Sequence, residues 1–242
     1  MSLLEETLTW FSDPAQWSGS SGIPWRTAQH AGYTALAVAA AAAVAIPLGL
    51  FIGHTGKWRN LAVVSTGALR ALPTLGLLTL LALWVGIGLP APIIALAVLC
   101  IPPLLAGIYS GLESVDAGTV DSARAQGMTE AQIILRVELP LAMPLILGGL
   151  RSAVLQVIAT ATVAAFIGAG GLGRYIIDGL ALSDTARVLG GALVVILLAL
   201  IVDALFAAAQ RFSAHRADPA AGSTGSSTST DTGINPTKER TA

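Results

Sequence analysis

Charge is what this sequence has least of. Only 11% of its 242 residues are Asp, Glu, Lys or Arg, where a soluble domain carries about a quarter. Aromatic residues are also scarce, at 5%, which excludes a clustered cation–π cage built from this chain alone. One cysteine, Cys100, excludes an intrachain disulfide and any cysteine-based metal cluster; it lies in an apolar run and reads as small buried packing. The three histidines, His30, His54 and His215, are scattered and read as interfacial. HExxH and GxSxG are both absent, so no zinc or serine hydrolase set is visible and no catalytic residue is assigned. No basic cluster exists to hold nucleic acid. Lys57 is followed by Trp58, and Phe51 stands where a nucleotide-binding loop needs glycine, so the chain has no ATP loop of that kind.

Apolar residues, by contrast, make up 54% of the chain, and several windows stay apolar for about 20 residues, enough to cross a bilayer as a helix. The sequence predicts an all-α integral membrane protein with five transmembrane helices, at about His30–Ile52, Leu61–Val85, Pro90–Tyr109, Leu141–Ile167 and Val188–Ala208. The first is rich in alanine (TALAVAAAAAVAIPLGL), which suits close packing between neighbours, and Pro47 bends its inner end. Pro73 interrupts the second and Pro102-Pro103 the third; carbonyls freed there either line a polar path or mark kinked packing helices.

Residues 1–29 read as an external interfacial segment. It is not a signal peptide, because Glu5 and Glu6 occupy the place of a basic leader. Leu4, Leu8 and Phe11 share one helical face, with Trp10, Trp17 and Trp25 at headgroup depth. Residues 30–211 form the membrane domain, and residues 212–242, dominated by Ser, Thr, Gly, Pro and Asp, form a disordered cytoplasmic tail.

The longest polar interruption runs over residues 113–140. It holds Glu113, Asp116, Asp121, Arg124, Glu130, Arg136 and Glu138, whereas the stretch between Arg70 and Leu112 has no charge. Such a segment lies outside lipid. Its composition predicts two short helices meeting at Gly127, which supplies a φ > 0 hinge, with Thr129 as an N-cap and the second helix running to Pro140. With this loop inside, Lys57, Arg59, Arg124, Arg136, Arg211 and Arg216 are cytoplasmic, against Arg26, Arg174 and Arg187 outside. That asymmetry places the N-terminus outside and the C-terminus in the cytoplasm.

Asp121-Ser122-Ala123, three residues, Gly127, nine residues and Val137-Glu138-Leu139-Pro140 resembles the coupling-loop motif of type I ABC importer permeases. That motif runs Glu-Ala-Ala, three residues, Gly, nine residues, Ile-x-Leu-Pro. Asp121, Ser122 and Val137 depart mildly from it, while Ala123, Gly127, Leu139 and Pro140 match. The resemblance extends over roughly residues 33–211, through ALRALPTLGLL, PPLLAGIYSGLESVD and LPLAMPLILGGLRSAVLQVIATATVAAFIGAGGLG, and is similar to the osmoprotectant branch (glycine betaine, choline, carnitine). Arg70 departs from that branch, where a neutral residue is expected.

The resemblance implies half of a pore in a bacterial plasma membrane. A second permease subunit, identical or paralogous, completes it; cytoplasmic ATPases carrying ATP and Mg dock on the coupling loops, and an external binding protein delivers substrate. This chain itself then holds no cofactor and no metal. The resemblance also places Gly168, Gly170, Gly171 and Gly173 at an external mouth; a phosphate-cradling loop is rejected there, since no strand precedes it.

Gly148, Ser152, Gln156 and Thr160 recur every four residues on the fourth span. This small, polar face either lines a translocation path or holds helices together. Thr74 and Thr79 on the second span are further pathway candidates. Arg70 and Arg151 are the charges at membrane depth, read as structural or gating residues because a guanidinium repels a quaternary ammonium. Three rivals remain: an amino-acid permease such as one for methionine, an ion-coupled secondary transporter, for which Asp203 is the one carboxylate within a span, and a membrane-embedded enzyme.

Overall fold

The computed structural model describes residues 2–217, with side chains through residue 214. Among these residues every regular element is helical. Helix α1 (Leu3–Ser12) opens with a capping box between Ser2 and Glu5; a 3₁₀ turn (Pro14–Trp17) leads to α2 (Ile23–Thr55). There follow α3 (Arg59–Arg70), α4 (Thr74–Val85), α5 (Pro90–Glu113), α6 (Ala117–Ala125), α7 (Glu130–Ile133), α8 (Leu139–Ala164), α9 (Gly173–Leu182) and α10 (Thr185–Ala217).

Helices α2, α5, α10 and the segment carrying α8 are long and apolar enough to cross a membrane. The expected second span, Leu61–Val85, is instead two twelve-residue helices meeting at 87°. Each reaches only about 18 Å, short of the ~30 Å hydrocarbon core. The cause is local: Pro73 has no N–H to continue α3 and disfavours helical backbone at Leu72. Among the described residues the count is therefore four candidate spans, or five if the bent pair is one.

Other boundaries move outward from expectation. Helix α2 begins at Ile23, ahead of His30, because Pro24 sits in its first turn, where a missing N–H costs nothing. Pro140 does not end the loop's second helix. Residues 130–164 run on through a π-helical turn, Ile134–Glu138, in which Leu139 N–H bonds Ile134 O, and proline again occupies a first-turn position. Helix α10 continues to Ala217, so the expected disordered tail is helical over residues 212–217; residues 218–242 lie outside the described residues.

Small residues hold the spans together, which matters because lipid removes the hydrophobic drive that joins helices in water. Ala37, Ala41 and Ala45 on α2 are fully buried, and Gly49 continues their stripe: a Cβ there would come within 2.7 Å of Ile108. Between α5 and α8 the closest approach is glycine on glycine, with a Cβ on Gly107 only 2.5 Å from the Gly149 Cα. This seam is offset by one residue from the stripe that begins at Gly148.

The N-terminal helix packs on protein as well as facing outward. Leu4 and Leu8 are exposed, but Phe11 and Trp10 join a cluster with Ile23, Leu172 and Tyr175. Trp10 is not at headgroup depth alone; it stacks edge-on to Tyr175 at 5.4 Å and lies over Gly190, while Trp17 and Trp25 stay exposed.

Candidate functional site: the loop, the central helix and the mouth

The polar loop is built from its caps inward. Asp116 caps α6 by accepting from Thr119 N–H at 2.9 Å. Gly127 then takes φ 81°, and the Met128 N–H reaches back to Ala123 O at 3.3 Å, closing the helix end. Thr129 starts α7 through a capping box with Gln132. Arg124 locks the two arms by a two-pronged bond to Glu130, at 2.8 and 3.0 Å, and a third bond to Asp121 at 2.9 Å. Glu130, by hydrogen bond and charge, raises the Arg124 guanidinium further above its ordinary range. Ser122, Ala123 and Val137 line a cleft of about 610 Å³ between α6 and the π-helical turn, and Leu139 and Pro140 open α8.

One residue at this loop escaped sequence reasoning. His54, on the last turn of α2, places Nδ1 2.7 Å from Glu138 and Nε2 3.0 Å from Glu130. Both ring nitrogens face carboxylates. Glu138 is buried, with 4% of the residue exposed. The loop is thus fastened to the first long helix, not only to the helices on either side of it. Nothing local signals this, because His54 and Glu138 lie 84 residues apart. His30 is not interfacial either: it is fully buried and bonds Ile158 O through Nε2 at 3.0 Å. The His215 side chain lies outside the described residues.

Gly127→Val tests the turn. No atom lies within 4 Å of a Cβ added there, so the cost is backbone strain alone, about 1–2 kcal/mol. The variant is expected to reach the membrane at normal levels yet retain less ATPase on co-purification, with Gly127→Asn close to wild type. Equal retention by the valine variant would remove the turn from docking.

The four-residue stripe on α8 does not converge. Gly148 faces α10, where a Cβ would meet Gln210 Nε2 at 3.0 Å; Ser152 is exposed; Thr160 bonds Gln156 O within its own helix. Gln156 reaches across to α5, donating to Leu99 O at 3.2 Å. That is the carbonyl left without an α-helical donor by Pro103, four residues on. Thr74 occupies the first turn of α4, after the Pro73 bend, and Thr79 bonds Leu75 O within that helix.

Arg151 pairs with Asp203 on α10 rather than with a loop carboxylate, at 2.6 and 2.8 Å, and also touches Gln210. Two lone charges of opposite sign within spans were a usable signal for this pair. Arg70, in the last turn of α3, is exposed and has no ion-pair partner among the described residues.

The four candidate glycines lie between α8 and the first residue of α9, with Gly170 and Gly171 against the N-terminal part of α2. Gly168 and Gly171 have φ 88° and 80°; Gly171 N–H donates to Gln29 Oε1 at 3.1 Å, and Gly171 packs over His30. Gly173 is pressed onto the Thr162 carbonyl, leaving no space for a Cβ. Gly173→Ala is expected to cost about 1–3 kcal/mol as the α8–α9 corner is forced apart. It should lower the melting temperature in detergent, whereas Gly67→Ala, which meets nothing within 4 Å, should not. An unchanged melting temperature for Gly173→Ala would mean that the corner yields freely.

Broken and small-residue helices around a polar, ion-paired loop are the architecture of a multi-pass membrane subunit. The chain belongs to the family described as binding-protein-dependent transport system inner membrane components, whose model matches residues 45–214. It is a translocation component of the inner membrane, not an enzyme. Among curated relatives, a carnitine transport permease protein of Listeria monocytogenes is 37% identical over 178 residues, covering 74% of this chain and 82% of that protein. A choline transport system permease protein of Bacillus subtilis is 35% identical, covering 77% and 86% respectively. An osmoprotectant import permease protein of Salmonella typhimurium is 36% identical, covering 73% and 85%. Among solved structures, the MetNI methionine ABC transporter in an inward-facing conformation superposes with a TM-score of 0.71, covering 83% of this chain and 98% of that one. At 20% identity that likeness establishes the fold alone.

Proposed function

We propose that this chain forms half of the pore of an ATP-driven importer for quaternary-amine osmolytes such as glycine betaine, carnitine or choline. The observation that carries this reading is the set of relatives at 34–37% identity over about three quarters of the chain, all named for such substrates. A second permease subunit completes the pore, cytoplasmic ATPases carrying ATP and Mg engage residues 113–140, and an external binding protein supplies substrate; this chain binds no cofactor. The N-terminus lies outside and the C-terminus in the cytoplasm, supported by the distribution of Lys and Arg. ATP binding draws the two loops together and opens the pore outward, and hydrolysis reverses it. Such a switch requires two states only a few kcal/mol apart.

The pairing of Asp203 with Arg151 speaks against an ion-coupled carrier, because the carboxylate within the spans is already neutralised. The test is uptake of labelled glycine betaine into proteoliposomes holding this chain with its ATPase, partner permease and binding protein. Uptake that needs every component, and that carnitine or choline inhibits, supports the reading. ATP hydrolysis without amine uptake moves the substrate elsewhere, and uptake without the ATPase overturns the importer.

A further inference from the structure

The outer end of α2, the turn before α5 and the loop after α8 line a half-open polar cavity of about 400 Å³ whose charged lining is wholly basic, from Arg26 and Arg174. Arg26 is half-buried, and its hydrogen-bond partner among the described residues is a neutral amide, Gln29 Oε1 at 3.2 Å. No described carboxylate lies within ion-pair distance of it. Gln29 is itself pinned, since the same oxygen accepts from Gly171 N–H at 3.1 Å. The loop also closes tightly over the pair: a Cβ on Gly170 would come 2.6 Å from Gln29 Oε1 and 3.1 Å from Arg26 Nη1. On the far wall Arg174 is held by Asp178 at 2.6 Å and by Ala165 O at 3.4 Å, and Asp178 is shared with Arg187. The Tyr33 hydroxyl, which also lines the cavity, has no hydrogen bond among the described residues.

A guanidinium fixed in place by a neutral amide keeps most of its five N–H donors and all of its charge for a ligand. Its planar fork fits a carboxylate. A cation without a carboxylate meets the repulsion of Arg26, whose charge no described carboxylate offsets. We propose that this cavity is a carboxylate-recognition site at the external mouth, favouring quaternary amines that carry a carboxylate, such as glycine betaine and carnitine, over choline, which carries a hydroxyl. This rests on the substrate class and orientation proposed above. The site acts after delivery, as a second reading of the substrate that the binding protein has released.

The experiment is ATP-driven uptake of glycine betaine and of choline by the complete transporter in proteoliposomes, for wild type, Arg26→Gln and Arg26→Lys. Wild type is expected to favour glycine betaine. Arg26→Gln is expected to lower the betaine-to-choline ratio about tenfold, a difference of ~1.4 kcal/mol, and Arg26→Lys to restore part of it. An equal fall for both substrates assigns Arg26 a structural role and overturns the proposal, as does an unchanged ratio. If wild type carries neither amine, the substrate reading fails, and the cavity is judged by a second measurement. Glycine betaine, but not choline, should protect Arg26 from phenylglyoxal in the purified complex, read by mass spectrometry. Absence of protection overturns the site whatever the transport result.

Discussion

Asp203→Asn is expected to lower the melting temperature of the membrane domain. The pair is part-covered, with about a third of each side chain, 34% and 32%, accessible on the isolated chain, so solvent screens some of its attraction. The loss comes less from the missing attraction than from what remains: Arg151 keeps its charge between α8 and α10 with one amide contact from Gln210. Removing both charges, in Arg151→Met with Asp203→Leu, is therefore expected to recover most of the stability, since an apolar pair of similar volume suits lipid-facing helices. Melting temperatures in detergent by fluorescence-detected size exclusion decide the matter. A double variant as unstable as the single one would assign the pair a role beyond mutual compensation. A neutral single variant would mean that water already screens it.

His54→Ala is expected to separate ATP hydrolysis from transport. The imidazole joins α2 to both ends of the loop's second helix, through Glu130 and Glu138. Without it, loop motion still reaches α5 and α8 through the chain but reaches α2 only by packing. Coupling energies between sites run to about 1–3 kcal/mol, so the amine transported per ATP should fall about tenfold. ATPase retention should stay normal, because the cleft proposed for docking, around Ser122 and Ala123, does not include His54. His54→Gln keeps one donor and should fall between. A parallel loss of hydrolysis and transport would indicate misfolding instead.

The sequence disclosed what local chemistry decides. Gly127 and Thr129 mark their turn and cap because φ > 0 and an unpaired helix N–H are demands that few residues meet, and both stand in the structure where expected. Apolar runs located the four long helices for the same reason: lipid admits little else. What stayed hidden was set by distance or by competition between local rules. The ties from His54 to Glu138 and from Gln29 to Gly171 join segments far apart in sequence, which no periodicity encodes. The close approach of α5 and α8 falls at Gly149, one residue from the stripe that begins at Gly148: the two glycines are equally small, and only the facing helix selects between them. The Gln156 bond was partly legible. Pro103 frees the Leu99 carbonyl by rule, and a single amide on a neighbouring span is a natural donor.

The π-helical turn at Ile134–Glu138 sets a rotational phase. An α-helix advances 100° per residue, and this turn holds one residue more than the α-helical register requires. The wider turn absorbs that residue, so the helix on either side keeps nearly the phase it would have in an unbroken α-helix one residue shorter. Deleting a single codon within it would restore the ordinary pitch and leave α7 and its acidic face toward His54 almost where they stand, whereas the same deletion in the α-helical stretch after Leu139 would turn α6 and α7 by about 100° around the axis of α8. The turn is thus the place where this segment can change length by one residue without re-aiming the loop.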